Sequence, residues 1–320
     1  MHWIRGETLG KGGFGFVSKA TTHHHPSAGA HHHHHLPSLI AVKSSTLSES
    51  ASLVKEKQLL DKFQGCPSIL PCFGDDITSE NGQKLYNILL EYASGGCLAD
   101  RIIPAKGLPE KVVGRCANSI LAALVHIHRL GYVHCDVKPH NVLLVGGGNN
   151  NYENAKLADF GSCKRRNEQQ TDFVGTVIYA APESIARQEY LPESDVWALG
   201  CSVLHMLTGK PPWVFDKRAE AKDVLFKIGC SDQIPVIPPS NKISKEAKDF
   251  LNKCLVKDPS ARWKAEMLLN HPFLVKSSNS SSSSIPVDAP RNCRVPLKLS
   301  RGIHSLVPHC FHVPKVHAAF

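Results

Sequence analysis

Short runs of β-branched and apolar residues dominate the first ninety positions, and residues 3–9, 16–20, 39–43 and 85–92 each have the length and make-up of a strand. One segment breaks that pattern. Across residues 49–63 the apolar side chains Leu53, Leu59, Leu60 and Phe63 recur at near-helical spacing, while Lys55, Lys57 and Lys62 keep the other side polar. A single helix is predicted there. From Pro109 onward the period is helical, with Val112, Cys116, Ile120, Leu121, Leu124 and Ile127 on one face. Further helices are expected near 195–207, 219–228, 245–255 and 265–269. The chain therefore reads as α+β: a small β-rich lobe with one helix, about residues 1–92, and a larger α-rich lobe, about 97–275. Ala93, Ser94, Gly95 and Gly96, turn residues between the two regimes, are the expected hinge.

Two segments fit neither period. Residues 21–38, TTHHHPSAGAHHHHHLPS, are expected to be a loop inserted between two strands, where added length is tolerated. Its histidines lack a carboxylate or cysteine partner that would fix a metal geometry, so adventitious binding is the reading. Residues 276–320 open with a serine run and continue with scattered proline and basic residues, which predicts a disordered tail. The formal net charge is +9, from 37 Lys and Arg against 28 Asp and Glu, and five of those charges fall in the tail. The body is only mildly basic. Nucleic-acid binding thus rests on charge alone, with no interleaved aromatics, and is set aside. The eleven cysteines are an odd number without metal-ligand spacing and read as reduced thiols. No apolar run reaches the length of a membrane span, and the first residues lack the pattern of a secretory signal. A cytoplasmic location, with the nucleus also open, is expected.

Gly10-Lys11-Gly12-Gly13-Phe14-Gly15, followed by Val17, is a glycine-rich loop between two predicted strands. A dinucleotide fold shows similar spacing but needs a helix at the third glycine, whereas here a strand continues. A hairpin covering phosphates is the better reading. Lys43 ends the strand of Ile40, Ala41 and Val42, and Glu56, beside the core-facing Leu59 and Leu60, is its expected ion-pair partner in preference to Glu49. In the segment from His134 to Leu144, Asp136 is placed to accept a hydroxyl proton, Lys138 to steady a phosphoryl group and Asn141 to ligate a metal. Asp159-Phe160-Gly161 supplies a second metal ligand, a carboxylate, after a strand at 155–158. Each motif alone is weak. Their order is not.

Together these residues resemble the protein kinase signature. Ala181-Pro182-Glu183, Asp195-Val196-Trp197 and Asp258 to Trp263 are similar to later family elements, and the likeness spans about residues 1–275. It implies a bilobal kinase fold, ATP and Mg²⁺ as cofactors with Mn²⁺ as a substitute, and a Glu183–Arg262 pair in the large lobe. It also implies adenine contacts at Leu9, Val17, Ala41 and Leu143, with phosphate contacts at Gly10, Gly12, Gly15 and Lys43. Glu91 and Ala93 become hinge contacts, and Leu90 guards the back of the pocket. Lys138 together with Gly175-Thr176 is similar to serine/threonine kinases. The stretches Trp3 to Gly6, Leu9 to Gly12, Leu90 to Gly96 and His134 to Asp136 resemble plant MEKK-like mitogen-activated protein kinase kinase kinases. That likeness implies a MAP kinase kinase as protein substrate, in stress or hormone signalling. A catalytically weak scaffold in the same pathway is the alternative.

Two departures from the family pattern stand out. Cys135 occupies the position where most kinases carry the arginine that grips a phosphorylated activation loop, so activity is expected not to require that contact. Ala180 stands where a bulkier methionine is common, next to the substrate pocket. Thr171 and Thr176 lie in the activation segment, and Thr176 is expected to shape its substrate-binding end.

Overall fold

The computed structural model describes residues 3–12, 15–22, 36–104, 106–146, 155–166, 168, 173–216 and 218–274. Strands β1 (Trp3–Gly12) and β2 (Gly15–Thr22) form an antiparallel hairpin with Lys11 opposite Phe16 and Gly12 opposite Gly15. Strand β3 (Leu39–Thr46) pairs with β2, and after helix α1 (Ala51–Lys62) come β4 (Cys72–Glu80) and β5 (Gln83–Glu91). The sheet runs β1-β2-β3-β5-β4. Residues 47–49 form a short 3₁₀ turn rather than the first turn of the helix, and the Ser50 hydroxyl donates to the Leu47 carbonyl at 2.8 Å. Strand β4 is an addition to the sequence reading. It is an edge strand whose residues are half-buried or exposed, so Asp75, Asp76, Ser79 and Glu80 hide the apolar signal that marks its neighbours.

Pleating sorts these strands into two faces. One row of paired residues runs Gly10, Val17, Lys43, Ile88, Asp75; the next runs Lys11, Phe16, Ser44, Asn87, Asp76. The two rows point to opposite sides of the sheet. Gly15 closes the hairpin at φ +137°, and a Cβ there would collide with the Ser44 carbonyl oxygen, so only glycine fits. The polyhistidine residues 23–35 and the tail from residue 275 lie outside the described residues, as do Gly13, Phe14 and Thr171. The inserted loop leaves between β2 and β3, where Thr22 N donates to the Ser38 carbonyl at 3.1 Å.

The larger lobe is built on α2 (Glu110–Arg129) and α4 (Pro192–Thr208), with two small antiparallel strand pairs between them in sequence. Strand β6 (Tyr132–Val133) pairs with β9 (Lys164–Arg165), and β7 (Val142–Leu144) with β8 (Ala155–Leu157). Helices α3 (Pro182–Ala186), α5 (Ala221–Gly229), α6 (Lys245–Cys254) and α7 (Ala265–Leu268) complete it. Val196, Trp197, Leu199, Cys201, Val203 and Met206 of α4 are all fully buried, which makes this helix the centre of the core. Arg262 and Glu183 pair at 2.7 Å with no side-chain exposure on either partner. Every cysteine among the described residues is a free thiol. Among those residues no helix is long and apolar enough to cross a membrane.

The lobes meet at the end of β5. The amides of Gly95 and Leu144 bond the carbonyls of Leu144 and Gly96 at 2.9 and 3.0 Å. Beside them Lys156 on β8 donates to the Glu91 carboxylate at 2.6 Å, so the Glu91 side chain is held by the large lobe.

Candidate active site

Lys43, on the inward row of β3, lies between two carboxylates from separate elements. Its Nζ donates to Glu56 Oε2 of α1 at 2.6 Å and to Asp159 Oδ1 at 3.0 Å. Burial alone would lower the pKa of this ammonium, but the two carboxylates outweigh it and hold the group above its ordinary value. Desolvation by the surrounding protein works to raise Asp159 although its side chain is still reached by solvent, and the Lys43 charge overrides it, leaving the carboxyl below its ordinary value. Glu56 is buried at 2% exposure, and its Oε1 accepts from the Phe160 amide at 3.3 Å. The helix, the lysine and the Asp159 turn are thereby locked together. Glu49, the rejected partner, instead takes a bond from Thr46 Oγ1 at 3.3 Å.

Asp159 has φ 61° and ψ 72°, a left-handed conformation that turns the chain sharply after β8. That turn drives Phe160 into the core, where its ring lies 5.3 Å from Phe63 and 4.9 Å from His134. The Asp159 side chain stays about half exposed, at 49%.

Asp136 is surrounded by donors. Its Oδ1 accepts from Thr176 Oγ1 at 2.7 Å, and its Oδ2 accepts from Lys138 Nζ at 2.7 Å and Asn141 Nδ2 at 3.0 Å. Lys138 also donates to Thr176 Oγ1 at 2.7 Å, which closes a triangle between the catalytic loop and the activation segment. Because the Asn141 amide nitrogen faces Asp136, its oxygen is the atom left for a cation. Beneath the loop, Asp195 of α4 accepts from the backbone amides of His134 and Cys135 at 2.8 and 2.9 Å and bonds His128 Nε2 at 2.8 Å. Cys135 is held at φ 69° by these bonds. Its thiol points to the Val133 carbonyl at 3.3 Å, and burial followed by the nearby Asp195 charge pushes its pKa well up.

The remaining expected residues differ in burial. Ala41 and Leu90 are 7% exposed, Val17 and Leu143 are half-buried, and Leu9 is more open at 43%. Cys97, paired by an isolated β-bridge with Leu143, donates to Asp100 at 3.0 Å, and burial together with Asp100 pushes its thiol up to about 12. Sequence reasoning missed the part played by Asp195 and the Glu91–Lys156 bridge. A carboxylate leading directly into the apolar run Val196, Trp197, Ala198 and Leu199 of α4 was the available signal for the first; an ordinary strand lysine gave none for the second.

A γ-phosphate donor and a divalent cation fit these groups. The backbone at Gly10 and Gly12 faces open space where a side chain would stand, and Asp159 and Asn141 offer the hard oxygen donors that Mg²⁺ prefers. The description of the protein kinase domain matches residues 3–274. Mitogen-activated protein kinase kinase kinase 20 of Arabidopsis thaliana is 44% identical over 86% of this chain and 78% of its own length. Kinases 17 and 18 of that series are 37% and 36% identical, over 89% and 91% of this chain and 73% and 82% of theirs. The chain belongs to the protein kinase family, in its serine/threonine group of mitogen-activated protein kinase kinase kinases. Protein kinases as a class use ATP with Mg²⁺ and act on proteins.

Proposed function

We propose that this protein transfers the ATP γ-phosphate to serine or threonine hydroxyls of a MAP kinase kinase, acting in the cytoplasm or nucleus with Mg²⁺ or, as a substitute, Mn²⁺. The observation that carries the reading is the Lys43 ammonium held between Glu56 and Asp159 at 2.6 and 3.0 Å, because this pair joins only when the helix and the metal-binding turn are both in working position. A catalytically weak scaffold is expected to lack one of these groups or leave the pair open. None is missing here.

In this reading Asn141 and Asp159 hold the cation, which when bound offsets phosphate charge. Lys43 grips the non-transferred phosphates from the inner face of β3, under the Gly10 to Gly15 hairpin. Leu9, Val17, Ala41 and Leu143 enclose the base, with backbone groups of Glu91 and Ala93 as its polar partners. Asp136 accepts the substrate hydroxyl proton, and its two oxygens are oriented by Thr176, Lys138 and Asn141 before substrate arrives. Lys138 carries positive charge to the transferred group. The kinase domain is proposed to span about residues 1–275, with 276–320 as its tail.

The test is phosphate transfer from Mg-ATP to a panel of MAP kinase kinases by the wild type, Asp136→Asn and Lys43→Met. Turnover on the order of 1 to 100 per second that both substitutions abolish is expected. A wild type no faster than the two variants, while still binding ATP, would hand the reading to the scaffold.

A further inference from the structure

The glycine-rich hairpin is the edge of its sheet, and its outer strand is poorly anchored by backbone pairing alone. Strand β1 bonds only β2, and its register slips twice, between Arg5 and Thr8 and again between Thr8 and Gly10. The slips lie just before the glycines that must sit over phosphates. Arg5 precedes them, and its side chain does not extend into solvent.

Its guanidinium lies across the outer face of the sheet. Nε and Nη2 donate to both carboxylate oxygens of Glu80 at 2.8 and 2.9 Å, on β4 at the opposite edge. Nη1 donates to Ser44 Oγ of β3 at 3.0 Å and Nη2 to Asn87 Oδ1 of β5 at 2.8 Å, two of the three strands between. Its plane is flanked by the rings of Trp3, at 5.0 Å, and Phe16, at 5.1 Å. Phe16, Ser44 and Asn87 belong to one paired row, and the next row inward is Val17, Lys43 and Ile88. Each residue that Arg5 holds on β2 and β3 is therefore the chain neighbour of one that faces the nucleotide: Phe16 of Gly15 and Val17, Ser44 of Lys43. The Arg5 side chain is 16% exposed, and its fork engages a carboxylate and two neutral acceptors while stacking on rings, which a lysine cannot reproduce.

We propose that Arg5 is a positioning residue for nucleotide binding, which fixes the glycine-rich hairpin over the cleft by clamping Phe16 and Ser44 from the outer face. This rests on the kinase reading above. A purely structural arginine would stabilise the small lobe without favouring one substrate over the other. A positioning one acts on ATP selectively, because only the nucleotide lies under the hairpin.

The experiment compares wild type, Arg5→Gln, Phe16→Leu and the double variant of the full chain. Steady-state constants are measured for ATP and for protein substrate, ADP affinity is titrated directly, and thermal melting is recorded alongside. The KM for ATP and the dissociation constant for ADP are expected to rise about three- to tenfold in Arg5→Gln, of the size lost with a cation–ring contact and a bidentate bond. The KM for the protein substrate stays near wild type. Phe16→Leu produces part of the same effect, and the double variant is no worse than Arg5→Gln, since the two act through one contact. Additive effects, or equal changes for both substrates, overturn the proposal. Nucleotide constants within twofold of wild type in a variant that only melts earlier do so too. If Arg5→Gln fails to fold, Phe16→Leu and Glu80→Gln carry the same comparison. A wild type that binds no nucleotide defeats the kinase reading itself; one that binds it as Arg5→Gln does defeats only this inference.

Discussion

Replacing Arg262 with methionine removes the guanidinium from the centre of the large lobe while keeping much of its bulk. Glu183 then loses bonds of 2.7 and 3.1 Å and keeps only the Ser194 hydroxyl at 2.7 Å. The carbonyls of Val256, Glu193 and Lys257 lose their donor, and Trp197 loses the cation stacked 5.3 Å from its ring. With both charged side chains at zero exposure, the dominant cost is the uncompensated carboxylate, and removing one partner of such a pair costs about 3–5 kcal/mol. Set against a total stability of roughly 5–15 kcal/mol, that is a large share. For a domain of this size each kcal/mol moves the melting point by about 2–4 °C, so Arg262→Met is expected to melt about 6–20 °C below wild type. Thermal melting followed by far-UV circular dichroism measures it. Glu183→Gln/Arg262→Met is expected to recover part of the loss, because no buried charge is left unpaired. A single variant melting within about 2 °C of wild type, or a double variant destabilised by the sum of its parts, refutes the argument.

Three further outcomes follow from the site and its surroundings. Dephosphorylated wild type is expected to keep its rate, whereas Cys135→Arg becomes faster only when its activation segment is phosphorylated; a wild type silenced by phosphatase sinks the idea. Iodoacetamide mass spectrometry should find the exposed Cys230 alkylated well before Cys135, whose half-buried thiol is held protonated by its raised pKa, and equal rates would contradict that pKa. Burial, and after it the His140 charge, hold the His205 imidazole below its ordinary pKa, so the folded protein takes up that proton less readily than the unfolded chain. Stability is therefore full above about pH 6.5 and declines below it, and urea midpoints at pH 7.5 and 5.5 should show a smaller decline in His205→Gln than in wild type.

Most of the fold was legible because periodicity and burial agree. The helix face of Val112, Ile120, Leu121 and Leu124 is buried in α2, and the four strands read from apolar runs all lie in or beside the sheet core. Strand β4 was not legible, since an edge strand carries acidic residues on both sides of its pleat. Helix α3 has five residues and owes its place to Pro182 and to Glu183 reaching Arg262, a partner 79 positions away. At the site the identities of Lys43, Glu56, Asp136, Asn141 and Asp159 could be read from local motifs. The Lys43–Glu56 pair was legible as well, but the bonds of Lys43 to Asp159, across 116 residues, and of Asp136 to Thr176, across 40, carry no local signal. The Arg5 clamp was wholly hidden: an arginine in an exposed-looking strand has no local sign that four strands and two rings converge on it.

The backbone at residue 135 is gripped by Asp195 through two peptide amides, and the side chain takes no part in that grip. Position and charge at this point of the molecule are thus separate variables. Evolution can rewrite the electrostatic surroundings of the activation segment by exchanging one side chain while Asp136 stays where α4 holds it. If Cys135→Arg gains its rate only when phosphorylated, a lineage can lose its dependence on an upstream phosphorylation, or regain it, in a single substitution and without rebuilding the apparatus that moves phosphate.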